Sequence, residues 1–251
     1  MDTWDIGLAP HVIYDGVYPN LQRGQIARFA VEFWPYALDS SAEAVIHAER
    51  VTEGGHKSNN AYHVNAKVEY AAEWDEVFYA PAPGMMDGLP KWDAQGEPIF
   101  YHFPLVRQTR PEPVCVLDCG IRTYREGGKN LPTNSGGFVN ATIGMSIDQF
   151  FRSDFPPTAR DMPPIIYTWH IEEITLFTAP LVEKRDEVGR LRREYDMEQI
   201  ISQSIEQMDA HRDDHGWYTL RCTKLDFPPV HMNRREMQAY YAQDKMGKRY
   251  Q

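Results

Sequence analysis

The chain is poor in the features that announce a function. Only three cysteines occur in 251 residues, an odd number that cannot pair completely and speaks against a small extracellular domain built on disulfides. No stretch approaches the roughly 18 apolar residues that a membrane-spanning helix needs. The N-terminal MDTWDIGLAPHVIYDG has no basic segment leading into an apolar run and does not read as a secretory signal, so a soluble cytoplasmic protein is expected. Positive charge is scarce too. With 26 Lys and Arg against 36 Asp and Glu the net charge is −10, which speaks against a long nucleic-acid interface, because such an interface neutralises phosphates with basic side chains.

Local catalytic signatures are also missing. The sequence has no GxxxxGKS/T phosphate loop, no GxGxxG opening a helix, no GxSxG nucleophile elbow and no HExxH, and each absence lowers one large class of enzymes. No cofactor motif is present and no cofactor is expected. Catalytic groups assembled from distant residues would leave no such trace, which keeps an enzyme in view.

What is present favours strands. There are 14 Tyr, 11 Phe and 6 Trp, residues that suit a pleated, half-buried surface. ARFAVEF (27–33) alternates Phe29, Val31 and Phe33 against Arg28, Ala30 and Glu32, after a turn expected near Gly16 or Gly24. AYHVNAKVEYAAE (61–73) puts Tyr62, Val64, Ala66, Val68 and Tyr70 on one face, with His63, Asn65, Lys67 and Glu69 on the other. VCVLDCGIRTY (114–124), GGFVNATIGMSI (136–147) and WYTLRCTKLDF (217–227) read as further strands. Within the first, Cys115 and Cys119 would lie about 13 Å apart along an extended chain, too far for a bridge, so buried free thiols are expected. IIYTWHIEEITLF (165–177) is the strongest strand, with Trp169, Ile171, Thr175 and Phe177 on one face and His170, Glu172, Ile174 and Leu176 on the other.

The segment from about 80 to 113 is dense in Pro and Gly and reads as an insertion with one short strand around 99–106. A helix is predicted after it, capped by Asp196 with Gln199 three residues on, carrying Met197, Ile201, Ile205 and Met208 as a stripe and ending at Gly216. A last helix is expected from Asn233 to about Lys245 with Met237, Tyr240 and Tyr241 on its buried side. It overlaps a basic tail from about 233 that holds Arg234, Arg235, Lys245, Lys248 and Arg249. Many strands without intervening helices point to a single β-rich α+β domain over 1–251, an antiparallel β-barrel or sandwich with one or two C-terminal helices.

Candidate site residues are few. His211 and His215 in HRDDH (211–215) have metal-ligand spacing on a helix, but at a fraying C-terminus with no third group they read as punctuation, and no metal site is assigned there. His170 and Glu172 share a strand face roughly 7 Å apart, close enough to converge on one ligand. Asp118 and Arg122 either bind opposite ends of a polar ligand or pair across to neighbouring strands, and pairing is the expectation. The first functional reading is a non-catalytic binding protein for a partner protein or small ligand, using His170, Glu172, Asp118, Arg122 and His102. The acidic balance would suit a basic protein partner, with no nucleic acid and no membrane involved. The alternative is a metal-dependent hydrolase or lyase in which His102, from FYHFP, joins His170 and Glu172 inside a barrel.

Overall fold

The computed structural model describes residues 2–8, 21–51, 60–93, 95, 99, 101–128, 130–148, 161–185, 191–208, 216–232, 236 and 239–242. Twelve strands form among them: β1 (Thr3–Leu8), β2 (Ile26–Ser41), β3 (His47–Arg50), β4 (Ala61–Pro81), β5 (Leu105–Asp118), β6 (Arg122–Glu126), β7 (Phe138–Ile147), β8 (Ile166–Thr178), β9 (Leu181–Arg185), β10 (Leu191–Tyr195), β11 (Ile201–Ile205) and β12 (Gly216–Lys224). Ten belong to one sheet of order β11-β8-β12-β1-β7-β2-β6-β5-β4-β3, while β9 and β10 pair with each other. The chain is mainly β, as its alternating patterns predict. Among the described residues no helix is long and apolar enough to cross a membrane.

Two strands organise the sheet. β2 is 16 residues long, long enough to pair its first part (Ile26–Ala30) with β8 and its remainder (Val31–Ser41) with β7. β7 in turn pairs with β4 through Phe138–Gly144 and touches β1 at Ser146. Two circuits of pairing result, β8-β12-β1-β7-β2 and β2-β6-β5-β4-β7, and both contain β2 and β7. Where β7 does not reach, the Tyr241 hydroxyl takes over. It donates to the Arg28 carbonyl at 2.7 Å and accepts from the Arg28 amide at 3.2 Å, satisfying backbone groups that would otherwise be an open edge. Tyr241 belongs to the short C-terminal helix, whose helical residues described here are Glu236 and 239–242.

The core takes the predicted apolar faces, and β2 is covered on its other face as well, where Ala30 and Glu32 are buried. Phe29, Val31 and Phe33 of β2, Tyr62, Val64, Ala66 and Val68 of β4, and Ile143, Met145 and Ile147 of β7 are all buried. Phe29 stacks on Trp169 at 5.4 Å, and the Trp169 indole N–H donates to the Phe29 carbonyl at 3.2 Å. Burying a ring of this size stabilises by about 2 kcal/mol or more, provided its polar atom is satisfied as it is here. All three cysteines are free and buried, and burial pushes the Cys115 and Cys119 thiols up to about 12.

Three expectations fail for identifiable reasons. The predicted helix after Asp196 is one turn followed by a strand. The Asp196 carboxylate accepts from the Glu198 amide at 3.1 Å and the Gln199 side chain at 2.7 Å, and β11 then pairs with the end of β8. Ile201 is 68% exposed while Met208 is buried, so the supposed stripe never forms one face. The strand around 99–106 is also displaced. β4 runs on to Pro81 and pairs with β5 from Leu105, leaving 82–104 as the connection. Pro111 and Pro113 are tolerated inside β5 because these positions face away from β4, as the bond from the Gly127 amide to the Pro113 carbonyl (2.8 Å) shows. Finally, VCVLDCGIRTY is two strands. Gly120 adopts φ 107°, its amide donates to the Asp118 carboxylate at 2.9 Å, and the chain reverses so that Asp118 and Arg122 face each other across β5 and β6. The HRDDH stretch, the basic residues of the tail and Gly16 lie outside the described residues.

Candidate functional site

The predicted site residues do not gather at one place. Arg122 donates to Glu69 at 2.5 Å and its second nitrogen reaches the Pro164 carbonyl at 3.4 Å, while Asp118 is used by the Gly120 turn. Both groups are engaged within the fold, Arg122 with Glu69 of β4 and Asp118 with the backbone of its own turn. His102 sits exposed on the connection between β4 and β5. His170 lies half-buried on the outward side of β8, opposite Ile26 and Thr223. Glu172 is the extra residue of a bulge: Ile171 pairs with Cys222 and Glu173 with Arg221, so Glu172 has no partner position on β12. That bulge shifts the phase of β8, and the buried face runs Trp169, Ile171, Ile174 and Leu176 instead of continuing through Glu173. The Glu172 carboxylate accepts from Thr223 Oγ1 at 2.5 Å, and its carbonyl accepts from the Arg23 guanidinium at 3.1 Å. Among the described residues no group of three or more His, Cys, Asp or Glu could hold a metal ion, so His102, His170 and Glu172 are not brought together as a metal site.

A different surface has the features of a site, and the sequence reading passed over it. The outward positions of β7 run Asn140, Thr142, Gly144 and Ser146, alternating with buried Val139, Ala141, Ile143, Met145 and Ile147. Antiparallel register builds rows across the neighbouring strands. Asp39, Asn140, Asn65 and His47 form one row over β2, β7, β4 and β3; Ala37, Thr142, His63 and Glu49 form the next. His63 Nδ1 lies 2.9 Å from Thr142 Oγ1, which fixes the imidazole by one nitrogen. The connection from β2 to β3 folds over the first row. Asn65 Nδ2 donates to the carbonyls of Glu43 (3.1 Å) and Val45 (2.7 Å), pinning this wall in place. An open groove of about 590 Å³ results. Its charged and titratable lining is Asp39, Glu43, His47 and His63, without a Lys or Arg. Asn65 Oδ1 is buried and has no hydrogen-bond partner, an acceptor whose isolation costs on the order of 1–3 kcal/mol.

At the other end of the same strip, β2 places Glu32, Trp34 and Tyr36 over β7. Glu32 stands opposite Ser146 and Trp34 opposite Gly144. Trp34 is fixed from two sides: its indole N–H donates to Ser146 Oγ at 3.0 Å, and the Arg125 guanidinium lies 3.5 Å from the ring centroid. Arg125 also donates to Glu32 Oε1 at 2.6 Å, and both side chains are largely buried. Burial is the main cause that raises the Glu32 carboxyl to about 7; Arg125 opposes it, whereas Asp148 and Glu126 add to it. Such a pKa is a common mark of catalysis. Here the carboxylate is only 6% exposed and Oε2 is closed to solvent without a partner, so a substrate cannot reach it and Glu32 acts as a brace beneath Trp34. One signal was present in the sequence: Glu32 and Arg125 are charges set within apolar strands.

No family model, no curated protein and no solved structure matches this chain.

Proposed function

We propose that the chain is a non-catalytic binding protein whose small polar ligand sits in the groove over β2, β7, β4 and β3. The observation that carries this reading is the coincidence of a walled concavity with convergent donors and acceptors on a rigid four-strand base. Binding is favoured over catalysis because Glu32, a strongly perturbed carboxyl, is sealed from solvent, and because His170, Glu172 and His102 do not converge. The strands closing on themselves through β2 and β7 would give such a ligand a barrel-like frame.

A ligand that binds only the folded chain raises the melting temperature, by an amount that grows with the logarithm of its free concentration over Kd. A thermal-shift screen of polar small molecules is expected to give hits that disappear in Asn140→Trp, where an exposed position lining the groove is filled. Hits that persist unchanged in Asn140→Trp would place the ligand elsewhere and overturn the assignment.

A further inference from the structure

The strip along β7 is longer than the groove. Its outward positions from Asn140 to Ser146 span about 20 Å at the usual strand rise, and the character of the surface changes along it from hydrogen-bonding side chains to aromatic rings. Tyr36 is the residue squeezed out where the β2–β7 register slips between Pro35 and Ala37. The hydroxyl end of its ring packs over Gly144: a Cβ at that glycine would come within 2.9 Å of the Tyr36 hydroxyl and 3.3 Å of its ring. Glycine at position 144 thus leaves room for the tip of the ring. Tyr36 is 56% exposed and Trp34 39% exposed, so two large rings, one of them clamped between Arg125 and Ser146, are held with area open to solvent.

We propose that this strip binds a neutral carbohydrate, a chain of sugar rings whose C–H faces lie on Tyr36 and Trp34 while its hydroxyls reach Asp39, Asn140 and His63. The proposal rests on the groove being the ligand site and names the ligand class. Aromatic faces carry negative quadrupole density and attract the weakly positive C–H face of a sugar ring, and rigid rings do so with little loss of side-chain entropy. Hydroxyl groups are both donors and acceptors, which matches a lining of carboxylate, amide and imidazole groups. Anionic ligands do not fit. The groove offers two carboxylates and no Lys or Arg, the opposite of the forked donors that select phosphate or carboxylate groups.

The experiment titrates the full chain with soluble neutral oligosaccharides, namely cello-, malto-, manno- and laminari-oligosaccharides, and with spermidine as a cationic probe, reading binding by calorimetry up to millimolar ligand. Saturable binding of a neutral oligosaccharide is expected, weakened about tenfold in Tyr36→Ala by loss of the stacking ring and abolished in Asn140→Trp. Tyr36 is exposed, and near-ultraviolet circular dichroism of Tyr36→Ala checks that the fold is intact. Sugar binding that is indifferent to both substitutions overturns the proposal. Spermidine binding that is lost in Asn140→Trp, with no oligosaccharide bound, overturns the sugar and leaves the groove reading standing. Absence of binding by either class removes the sugar proposal, and thermal-shift hits from other polar molecules then decide whether the groove reading survives.

Discussion

The strips over β7 and β8 each hold a histidine and an acid on the outward side of the sheet, His63 of β4 and Asp39 of β2 flanking β7 and His170 and Glu172 on β8 itself, and they make different surfaces of them. On β8, His170 is half-buried and the Glu172 carboxylate is taken by the hydroxyl of Thr223. Across β7, His63 and Asp39 line a groove bordered by the β2–β3 connection, which Asn65 holds by two hydrogen bonds, and Asn65 Oδ1 is left without a partner. The residue types barely differ. What separates the two strips is a neighbouring segment that folds over one of them, and, farther along, a buried ion pair that holds an aromatic ring in place.

The sharpest way to break this difference is to remove the brace. Glu32→Ala leaves the Arg125 guanidinium with its Trp34 contact but without its carboxylate, in a place where little solvent reaches it. An uncompensated buried charge of this kind costs roughly 3–5 kcal/mol. Chemical denaturation of the variant is expected to show a loss near the lower figure, since Arg125 keeps some exposure. A change under about 0.5 kcal/mol, the range of ordinary surface substitutions, would put the β7 strip on the same footing as β8.

The same carboxyl gives a pH signature of comparable size. With its folded pKa raised to about 7 from an ordinary 4.5, Glu32 binds its proton more tightly in the folded chain than in the unfolded one. Its contribution to stability is therefore fully present below about pH 4.5 and is lost as pH rises through about 7. The loss is on the order of 3 kcal/mol. Comparing wild type with Glu32→Gln, which cannot ionise, isolates this group from all others. The stability of wild type relative to the variant is expected to fall across that window, and parallel curves would show that burial does not penalise the Glu32 charge.

The part of this arrangement that was legible in the sequence is the part set by period-2 alternation. Tyr62, Val64, Ala66, Val68 and Tyr70 were assigned to one face of a strand; the first four are buried together, while Tyr70, past a register slip after Val68, is half-buried; His63 and Asn65 were assigned to the opposite face, and both line the groove. Alternation sets which side of its own strand a residue takes, and only partner strands decide whether that side is open or covered. Hence Asn65, read on the polar face of its strand, is 7% exposed beneath a segment 20 to 22 positions away in the chain. Bulges were equally silent. The slip at Tyr36 and the extra residue at Glu172 each need a partner strand to be defined, and each moves a side chain off the face its position predicts. The helix predicted after Asp196 failed differently: a capping signal fits one turn as well as a helix, and Met197, Ile201, Ile205 and Met208 match helical spacing by coincidence while a strand is paired there.

The weakest of the three tests bears on β8. Thr223 Oγ1 donates to the Glu172 carboxylate at 2.5 Å, with Thr3 Oγ1 a further 3.0 Å from Thr223 Oγ1, so the three side chains make a short chain of contacts over β8, β12 and β1. Glu172 is exposed, and water can replace Thr223 as its partner with little change in free energy. Glu172→Gln is expected to shift stability by no more than about 0.5 kcal/mol and to leave ligand binding in the β7 groove unchanged. A loss above about 1.5 kcal/mol, beyond what one exposed hydrogen bond contributes, would mean that the bulge on β8 depends on this carboxylate and that the open strip is as tightly built as the walled one.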